Sequence, residues 1–445
     1  MGIKCAPYKQ LTAFQSQQQI VYLPRGINEM AFTKLQMLTA NGFFKAFNYV
    51  LSPCREERRY PVLTYCVGLA LLLPALCQSQ NQPDPLYFDQ LTISNGLSHN
   101  SVYDILQDQQ GYIWIGTKNG LNKYDGYDLE IYRSGERGDL NSGIVCKAIS
   151  SLLEDRAGNL WVGTRKNGIN FKPRLSDRFV NLQSDTAFAA IKGYDISSLF
   201  EDKSGNIWIT TVNAGVVKYD PLTRVSRLYN QENSGLSSNL VFDVVEDKYG
   251  TIWVGTAGGG LNYLVGEDKF ALSHEMLPNH PNMGSYRKKF FLDDEYLWVG
   301  TEGTGLYKMN IRDRTYEHFA PGNENRDIGS NVIKDIYKAK DGRVFIATDG
   351  SGLNIYDTST GEMSTLTYKL EQKNALNSNA LTSFLEDRTG NIWMGTYNGG
   401  INIYKPNKTW FEHLLPAADQ QDGLEQRSVL AICQDHNGKI WVGTD

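Results

Sequence analysis

One short sequence box returns eight times along this chain of 445 residues, and no other feature constrains the fold as strongly. The box begins with Asp-x-x-Gly, continues with an apolar stretch centred on an aromatic anchor, and ends with Gly-Thr, as in DRAGNLWVGT from Asp155. The anchors are Trp114, Trp161, Trp208, Trp253, Trp298, Phe345, Trp393 and Trp441. Their spacing of 45 to 48 residues is typical of a propeller or another array of β-rich repeats.

Each repeat contains the signals for four strands. In the first repeat these are residues 102–107, the apolar run 113–115, residues 121–124 and residues 129–132. The Asp-x-x-Gly turn needs a residue that tolerates a positive φ, and the apolar run lacks the polar alternation of a half-exposed strand. We therefore predict an all-β fold: a seven-bladed β-propeller of four-stranded antiparallel blades, plus the start of a second propeller. The aromatic anchors are predicted to be core residues.

The two ends of the propeller are predicted to share a blade. Residues 86–91 resemble the fourth-strand segments 316–319 and 410–414. We predict that 86–91 supplies the outermost strand of the seventh blade, because such an exchange ties the ring together without an open seam. The propeller then covers residues 86–409, and 410–445 is the truncated beginning of a second propeller. Residues beyond about 416 are expected to be loosely held, since a lone hairpin cannot bury its apolar face.

The amino-terminal region carries an export signal. A basic segment followed by roughly 16 apolar residues predicts a signal peptide over 55–79, cleaved near Cys77 or Ser79. A membrane span is the rival interpretation, although about 20 residues are usually required, and a lipoprotein cysteine at this site fits poorly. Residues 1–54 stay unassigned; they suggest an over-extended start, with the true initiator at Met30, Met37 or elsewhere.

Composition excludes several classes of protein. The 44 basic and 49 acidic residues give a net charge of −5, which disfavours a nucleic-acid binder. The six cysteines show no metal-ligand spacing, and none of the six histidines lies in a metal or triad motif. Glu-Asp pairs recur at one slot in four repeats, which indicates a structural turn, since a catalytic pair would occur once. The chain is predicted to use no cofactor or metal and to be no enzyme.

The box and its GLSxN lead-in, at 96–100 and 235–239, resemble the two-component regulator propeller repeat over residues 86–445. That repeat fills the extracytoplasmic sensor half of hybrid two-component systems of Bacteroidetes. Complete members have a signal peptide, two seven-bladed propellers, an immunoglobulin-like domain, a membrane helix and a histidine kinase. The resemblance implies a periplasmic sensing fragment whose parent is anchored in the inner membrane and signals through a kinase that this chain lacks.

The partners implied by the resemblance are an oligosaccharide from polysaccharide breakdown, the C-terminal half of the same receptor, and a second copy of the complete receptor. No nucleic acid is expected to bind this region. Two other interpretations stay open: a secreted propeller enzyme acting on polysaccharide in the manner of a lyase, and a protein-interaction propeller.

Candidate ligand-binding residues lie where the repeat departs from its own pattern. Fourteen residues before the anchor, four repeats carry asparagine, whereas the second and third carry Lys147 and Tyr194. The shortened fifth repeat has Arg287 nearby, and the turns after the box hold Arg165, Lys166 and Tyr397. In a four-stranded meander these positions fall on one face, so we predict that these six residues bind the ligand. Their Lys/Arg content favours an anionic sugar. The alternative is that they are ordinary solvated side chains.

Overall fold

The computed structural model describes residues 86–133, 144–145, 148–273, 283, 287–323, 326–369, 375–406, 428–436 and 439–444. One compact unit is Asp84–Lys408, and the other combines Met1–Pro83 with Thr409–Asp445. The predicted signal peptide at 55–79, the unassigned segment 1–54 and the predicted strand 410–414 lie outside the described residues.

The strands of the first unit follow one another in groups. The first described strand is β1 (Phe88–Leu91). It is followed by β2 (Val102–Gln107), β3 (Ile113–Thr117), β4 (Gly120–Tyr124) and β5 (Leu129–Tyr132). Next come β6 (Ile149–Glu154), β7 (Leu160–Thr164), β8 (Ile169–Lys172), β9 (Val180–Asn181), β10 (Asp195–Glu201), β11 (Ile207–Val212), β12 (Gly215–Asp220) and β13 (Val225–Tyr229). Then follow β14 (Val241–Glu246), β15 (Ile252–Thr256), β16 (Gly260–Val265), β17 (Lys269–Leu272), β18 (Lys288–Asp293), β19 (Tyr296–Thr301), β20 (Leu306–Asn310) and β21 (Thr315–Phe319). The last are β22 (Ile333–Lys338), β23 (Arg343–Thr348), β24 (Leu353–Asp357), β25 (Met363–Leu366), β26 (Leu381–Glu386), β27 (Ile392–Thr396) and β28 (Ile401–Tyr404).

These strands form seven four-stranded antiparallel sheets, which confirms the predicted seven-bladed propeller. Blades 1 to 6 are each built from consecutive strands, beginning with β2, β6, β10, β14, β18 and β22. Among the described residues, short helices lie only in the connections: 3₁₀ turns over Ile93–Asn95, Leu182–Ser184 and Thr186–Ile191, and one α-helical turn over Gln231–Ser234. No helix among the described residues is long and apolar enough to cross a membrane.

Blade 7 is completed by the amino-terminal strand, as the sequence predicted. Its sheet has the order β1-β28-β27-β26, and β1 pairs antiparallel with β28 from Phe88 opposite Tyr404 to Leu91 opposite Ile401. Phe88 is buried in the core of this blade. Trp393 of blade 7 packs in turn against Val102 and other residues of blade 1. The ring is therefore closed by hydrogen bonds at its rim and by apolar packing between its first and last blades.

Seven of the eight aromatic anchors, all except Trp441, are buried between blades, which confirms the predicted core role for those seven. Trp161, for example, lies in one cluster with Ile196 and Ile207 of the next blade. The glycine two residues after the anchor makes this approach possible. A Cβ on Gly163 would lie 2.8 Å from the Ile196 side chain, closer than packed carbons come. Glycine is therefore required at this position, because the next blade packs too closely to leave room for a side chain.

A hydrogen bond within the box explains the spacing of its aspartate and tryptophan. The indole Nε1 of Trp208 donates to Oδ2 of Asp202 at 2.8 Å, six residues earlier. The same carboxylate accepts from the backbone N–H of Asn206, so one residue both closes the turn and satisfies a buried donor. The same bond is made by the pairs Asp108–Trp114, Asp155–Trp161, Asp247–Trp253 and Asp387–Trp393.

Blades 5 and 6 lack this bond in different ways. In blade 6 both partners have changed, because Ala339 and Phe345 occupy the two positions. In blade 5 the turn between β18 and β19 is shorter: Asp293 stands at the acceptor position but bonds Lys338, and the Nε1 of buried Trp298 has no hydrogen-bond partner in the described part of the chain.

The described part of the second unit is a hairpin of β29 (Val429–Gln434) and β30 (Ile440–Thr444). It repeats the local box, since Trp441 Nε1 donates to Asp435 at 3.1 Å. Its apolar side chains are uncovered: Trp441 is 44% exposed, and Leu430 and Ile432 are exposed as well. That this hairpin opens a second propeller stays a prediction.

Candidate functional site

A cavity of about 600 Å³ lies on the propeller axis. Its walls are the starts of the first strands of the blades, and its mouth is formed by the turns between second and third strands. Both kinds of segment come together at one end of the ring, the face on which the sequence predicted a ligand. The lining is polar overall, with aromatic side chains Tyr103, Phe242 and Tyr397.

Seven residues at equivalent positions form what we call the inner ring. Each lies on the first strand of its blade, opposite the residue two places after the aromatic anchor. The members are Asp104, Ser151, Ser198, Asp243, Lys289, Asp335 and Ser383. All except Asp243 line the cavity.

The inner ring joins neighbouring blades through hydrogen bonds. Asp104 Oδ2 accepts the N–H of Leu152 in the next blade at 2.7 Å, and Asp335 Oδ2 accepts that of Phe384 at 2.8 Å. Ser151 Oγ accepts in the same way from Leu199 N at 3.2 Å. These N–H groups lie on the innermost strand, which has no further strand to pair with, so the inner ring satisfies donors that would otherwise face the channel unpaired.

Lys289 supplies the positive charge of the inner ring. Its Nζ lies 3.6 Å from Asp243 and 3.8 Å from Asp335, so it bridges the blades on both sides of its own. These carboxylates, Asp243 foremost, raise the pKa of Lys289 despite its burial. Although Lys289 lies deep in the ring, 41% of its side chain is accessible, because the cavity admits solvent.

Burial disfavours the charged form of the carboxyl groups near Lys289. It raises the pKa of Asp104 to about 6, and the nearby Lys289 ammonium only partly offsets that rise. The pKa of Asp335 is raised for the same reason. Burial also lowers the pKa of Lys288, whose Nζ donates to the Thr256 carbonyl at 2.9 Å, to about 8.

The first strand of blade 5 differs from those of the other blades just before the inner ring. Of the seven first-to-second strand pairs in the described propeller, that of blade 5 alone has an unbroken register; the other six contain a β-bulge just before the inner ring. The consecutive basic residues Arg287, Lys288 and Lys289 all line the cavity here. The loss of the bulge therefore coincides with the most basic part of the wall.

Three of the six predicted ligand residues meet at the cavity mouth. Arg165, Arg287 and Tyr397 all line it. The guanidinium carbon of Arg165 lies 4.5 Å from the centre of the Tyr103 ring, and that of Arg287 lies 4.5 Å from the centre of the Phe242 ring.

The acidic residues of the mouth hold these and other cations in place. Arg287 approaches Glu302 at 3.7 Å, and Lys334 bonds the same carboxylate at 2.7 Å. Lys334 also lies 3.8 Å from Asp349. Charges of both signs therefore alternate around the blade 5 to blade 6 side of the mouth.

The other predicted residues do not join this group. Lys166 and Tyr194 are exposed and are not among the lining residues, and Lys147 lies outside the described residues. The asparagines of the same slot have a structural role, since Asn100 Oδ1 accepts from Ile93 N and Asn239 Oδ1 from Gln231 N, closing the loops between blades. Departure from asparagine therefore indicates the loss of a loop cap as well as a change of surface.

Sequence reasoning missed the inner ring and the aromatic walls Tyr103 and Phe242. A signal for the ring exists ten residues before the anchor, where six of the seven propeller repeats carry Asp or Ser. In blade 5 the shorter turn between β18 and β19 shifts this position by one residue, so Lys289 is found only from the strand register.

The architecture defines a class: the seven-bladed β-propellers with four-stranded antiparallel blades. The family model described as two component regulator propeller matches residues 96–119, 143–166, 190–213, 235–258, 375–398 and 423–445. A stretch of 47 residues is 51% identical to histidine kinase P4 of Formosa agariphila, covering 11% of this chain and 3% of that protein.

Solved structures extend the similarity. The extracellular domain of a putative hybrid two-component system from B. thetaiotaomicron is 25% identical with a TM-score of 0.64, over 81% of this chain and 47% of that one. The chain thus matches less than half the length of that domain. A catalytically inactive virginiamycin B lyase from Staphylococcus aureus, solved with quinupristin, is 15% identical with a TM-score of 0.50, covering 72% and 99% of the two chains. This second likeness shows the fold alone.

Proposed function

We propose that this propeller is the ligand-sensing part of a periplasmic receptor and that an oligosaccharide binds in its axial cavity. Binding would be passed to a histidine kinase elsewhere in the receptor. The observation that carries the proposal is the cavity mouth, where aromatic rings and hydrogen-bonding side chains converge at the face on which the repeat is least regular.

The chemistry of the walls suits a sugar. Sugar rings present an apolar face of C–H groups and an edge of hydroxyls, so they stack on aromatic rings and bond polar side chains around them. Tyr397 is half exposed at the mouth, and Tyr103 and Phe242 lie deeper. Between Tyr103 of blade 1 and Phe242 of blade 4, the cavity is lined by the small hydroxyl residues Ser150 and Ser197 of blades 2 and 3.

The arginines favour a ligand with acidic groups. A guanidinium that contacts a ring through its face keeps N–H donors in its own plane, and these match a carboxylate or sulfate in bidentate fashion. Arg165 and Arg287 both have this arrangement at the mouth. Uronates and sulfated sugars are therefore the proposed class.

A glycan array probed with the whole chain, followed by calorimetry on the bound sugar, tests the proposal. Arg165→Ala and Tyr397→Ala should each weaken binding by about 5- to 30-fold, the usual consequence of truncating a contact residue. Lys166→Ala is the matched control for arginine, because it is adjacent and exposed but does not line the cavity. Tyr127→Ala, in the exposed turn between β4 and β5 at the other end of the blade, is the control for tyrosine.

Three results would overturn the assignment. Equal losses of binding affinity for Arg165→Ala and Lys166→Ala would show that the ligand does not bind in the cavity. Release of shortened products from a polysaccharide would favour the lyase-like alternative, and absence of any bound sugar would favour a protein-interaction propeller.

A further inference from the structure

Two arginines at the cavity mouth are supported in the same way. The guanidinium of Arg165, in blade 2, lies over the ring of Tyr103 in blade 1. The guanidinium of Arg287, in blade 5, lies over the ring of Phe242 in blade 4. In both cases the arginine rests on an aromatic side chain of the preceding blade, and we call Arg165 and Arg287 the stacked arginines.

The two supporting rings occupy a position where the other blades carry different side chains. Tyr103 and Phe242 are the bulged residues of their first strands, β2 and β14. In blades 2, 3 and 7 the bulged residue is a serine or threonine whose hydroxyl donates to a carbonyl of the next blade, and in blade 6 it is a lysine. Among the seven described blades, an aromatic bulge is therefore found only in the two that precede a stacked arginine.

The stacked arginines come from two different positions of the repeat. Arg165 lies in the turn after β7, and its N–H donates to the carbonyl of Ala148. Arg287 immediately precedes β18, and its carbonyl accepts from the N–H of Glu302. In the repeat, Arg287 therefore corresponds to Ala148. Since two different positions bring a guanidinium onto the ring of the preceding blade, the repeat pattern alone does not account for the arrangement.

The stacked arginines lie on opposite walls of one cavity. The blades follow one another around the ring, so blades 2 and 5 are separated by two blades on one side and by three on the other. Both arginines line the same cavity of about 600 Å³. Sites for small ligands usually have volumes of about 300–1,000 Å³, so one short oligosaccharide can contact both walls.

Both guanidinium groups are accessible to a ligand. Arg165 is exposed, and 55% of the Arg287 side chain is exposed. Glu302 approaches Arg287 only to 3.7 Å, which is longer than a hydrogen bond, and bonds Lys334 at 2.7 Å. An acidic group of a ligand can therefore bond Arg287 while Glu302 stays with Lys334.

We propose that the ligand carries two acidic groups and that Arg165 and Arg287 each bind one of them, so that the sugar chain spans the cavity mouth. This inference rests on the proposed function and narrows its ligand from an anionic sugar to an oligosaccharide with at least two carboxylates or sulfates. A ligand with one acidic group can satisfy only one of the stacked arginines at a time.

The physical gain comes from two preorganised contacts. A guanidinium that already rests on a ring loses less conformational freedom on binding, and its planar fork matches a carboxylate or sulfate. Once one acidic group is held, the second binds within the same complex at a high effective concentration. The number of acidic groups therefore determines affinity more strongly than the number of sugars.

Two probe series test the proposal by calorimetry on the whole chain. The first consists of galacturonate oligosaccharides of two to six sugars, with all carboxylates free or with a single free carboxylate and methyl esters at the others. The second consists of malto-oligosaccharides of the same lengths, with a sulfate at both ends or at one end. In at least one series, the form with two or more acidic groups should bind about 10-fold or more tightly than its partner of equal length, the worth of one charge-assisted hydrogen bond.

Arginine variants give the second readout. Arg165→Ala and Arg287→Ala should each weaken binding of the two-acid form by about 5- to 30-fold. The one-acid form can use either arginine, so each variant should weaken its binding by about 2-fold, the statistical effect of losing one of two sites. Lys166→Ala is the control in blade 2, and Arg312→Ala, in the exposed turn between β20 and β21 at the other end of blade 5, is the control for Arg287.

The supporting rings give the third readout. Tyr103→Leu and Phe242→Leu should each weaken binding of the two-acid form by about 2- to 5-fold, the worth of an exposed cation–π contact. Tyr103→Phe keeps the ring and should keep the affinity. A loss in Tyr103→Phe as large as that in Tyr103→Leu would overturn the positioning role of the ring.

The outcomes separate the two proposals. Equal affinity of the one-acid and two-acid forms in both series, or a loss confined to one of the two arginine variants, would overturn the two-acid proposal and leave the proposed function standing. Unchanged affinity in both arginine variants, or no binding of either series, would overturn the proposed function as well.

Discussion

Trp208 and Trp298 are a matched pair that isolates the indole hydrogen bond of the repeat. Each lies on the second strand of its blade and is buried, at 1% and 0% exposed. Each also stacks on an aromatic ring of the fourth strand, Tyr229 at 5.9 Å and Phe319 at 6.1 Å. Trp208 donates to Asp202, whereas Trp298 has no acceptor within the described structure. Substitution by phenylalanine removes similar packing at both positions, but it removes a hydrogen bond only at Trp208.

The magnitude follows from that difference. Trp208→Phe loses a bond to a carboxylate, worth about 1.5–3 kcal/mol. Trp298→Phe removes a buried donor whose unpaired state costs about 1–3 kcal/mol, so part of its packing loss is recovered. Asp202 keeps its bonds from Asn206, which limits the first effect. We expect Trp208→Phe to be the more destabilising by about 2–5 kcal/mol. Blade 6, with Phe345 at the same position, shows that phenylalanine fits the slot.

Urea unfolding of the whole chain, followed by far-UV circular dichroism, gives both free energies of unfolding. Circular dichroism is preferred because both substitutions alter the tryptophan fluorescence. Adding Asp202→Ala to each background completes a double-mutant cycle, which should show coupling with Trp208 and none with Trp298. Losses that agree within about 0.5 kcal/mol would refute the reasoning, because packing alone would then explain the tryptophan slot.

Four further predictions concern the closure, the inner ring and the hairpin. Phe88→Asp should expose the amides of β28 to hydrogen exchange while blade 3 stays protected; equal protection in both would contradict closure by β1. The pKa of Asp104 is raised from its ordinary 3.8 to about 6, so its ionisation costs stability as the pH rises through that window. Asp104→Asn should therefore become relatively more stable between pH 4 and pH 7, by at most about 3 kcal/mol in urea unfolding, and a pH-independent difference would be evidence against it. Lys289→Met should cost about 1–2 kcal/mol at neutral pH, allowing for solvent in the cavity, and less at pH 4, where the nearby Asp104, with a pKa of about 6, is protonated and no longer attracts the ammonium. Limited proteolysis should release the segment around Trp441 well before the one around Trp253; similar protection would contradict a loosely held hairpin.

Much of the fold could be predicted because the propeller is built from local signals. The turn at Asp-x-x-Gly, the apolar second strand and the period are all readable within one repeat. The closure by β1 was predictable as well, because a strand that lacks three partners must find them in an incomplete blade. The observed strands β2 and β5 have the predicted bounds.

The candidate site was only partly accessible to the same reasoning. Arg165, Arg287 and Tyr397 were found because they break a repeated slot, and the structure brings them to one mouth. Lys166 was selected by the same rule, yet the turn holds it with a φ of 68° and it does not line the cavity. The position of a residue within the repeat predicts at which end of the blade it lies. The backbone conformation of the turn determines where its side chain goes.

The sequence by itself determined the blade, the number of blades and the way the ring closes, because each depends on residues within one period or on strand pairing along the chain. Only the tertiary structure decided the chemistry of the axis. Within the described residues Ser383 Oγ lacks a hydrogen-bond partner because Asp104, at the other end of the propeller's sequence, bonds the N–H of Ile105. The charge of the inner ring depends on Lys289, which the shorter turn between β18 and β19 brings to that position. Those contacts join blades that are distant in sequence and become neighbours only when the ring has closed.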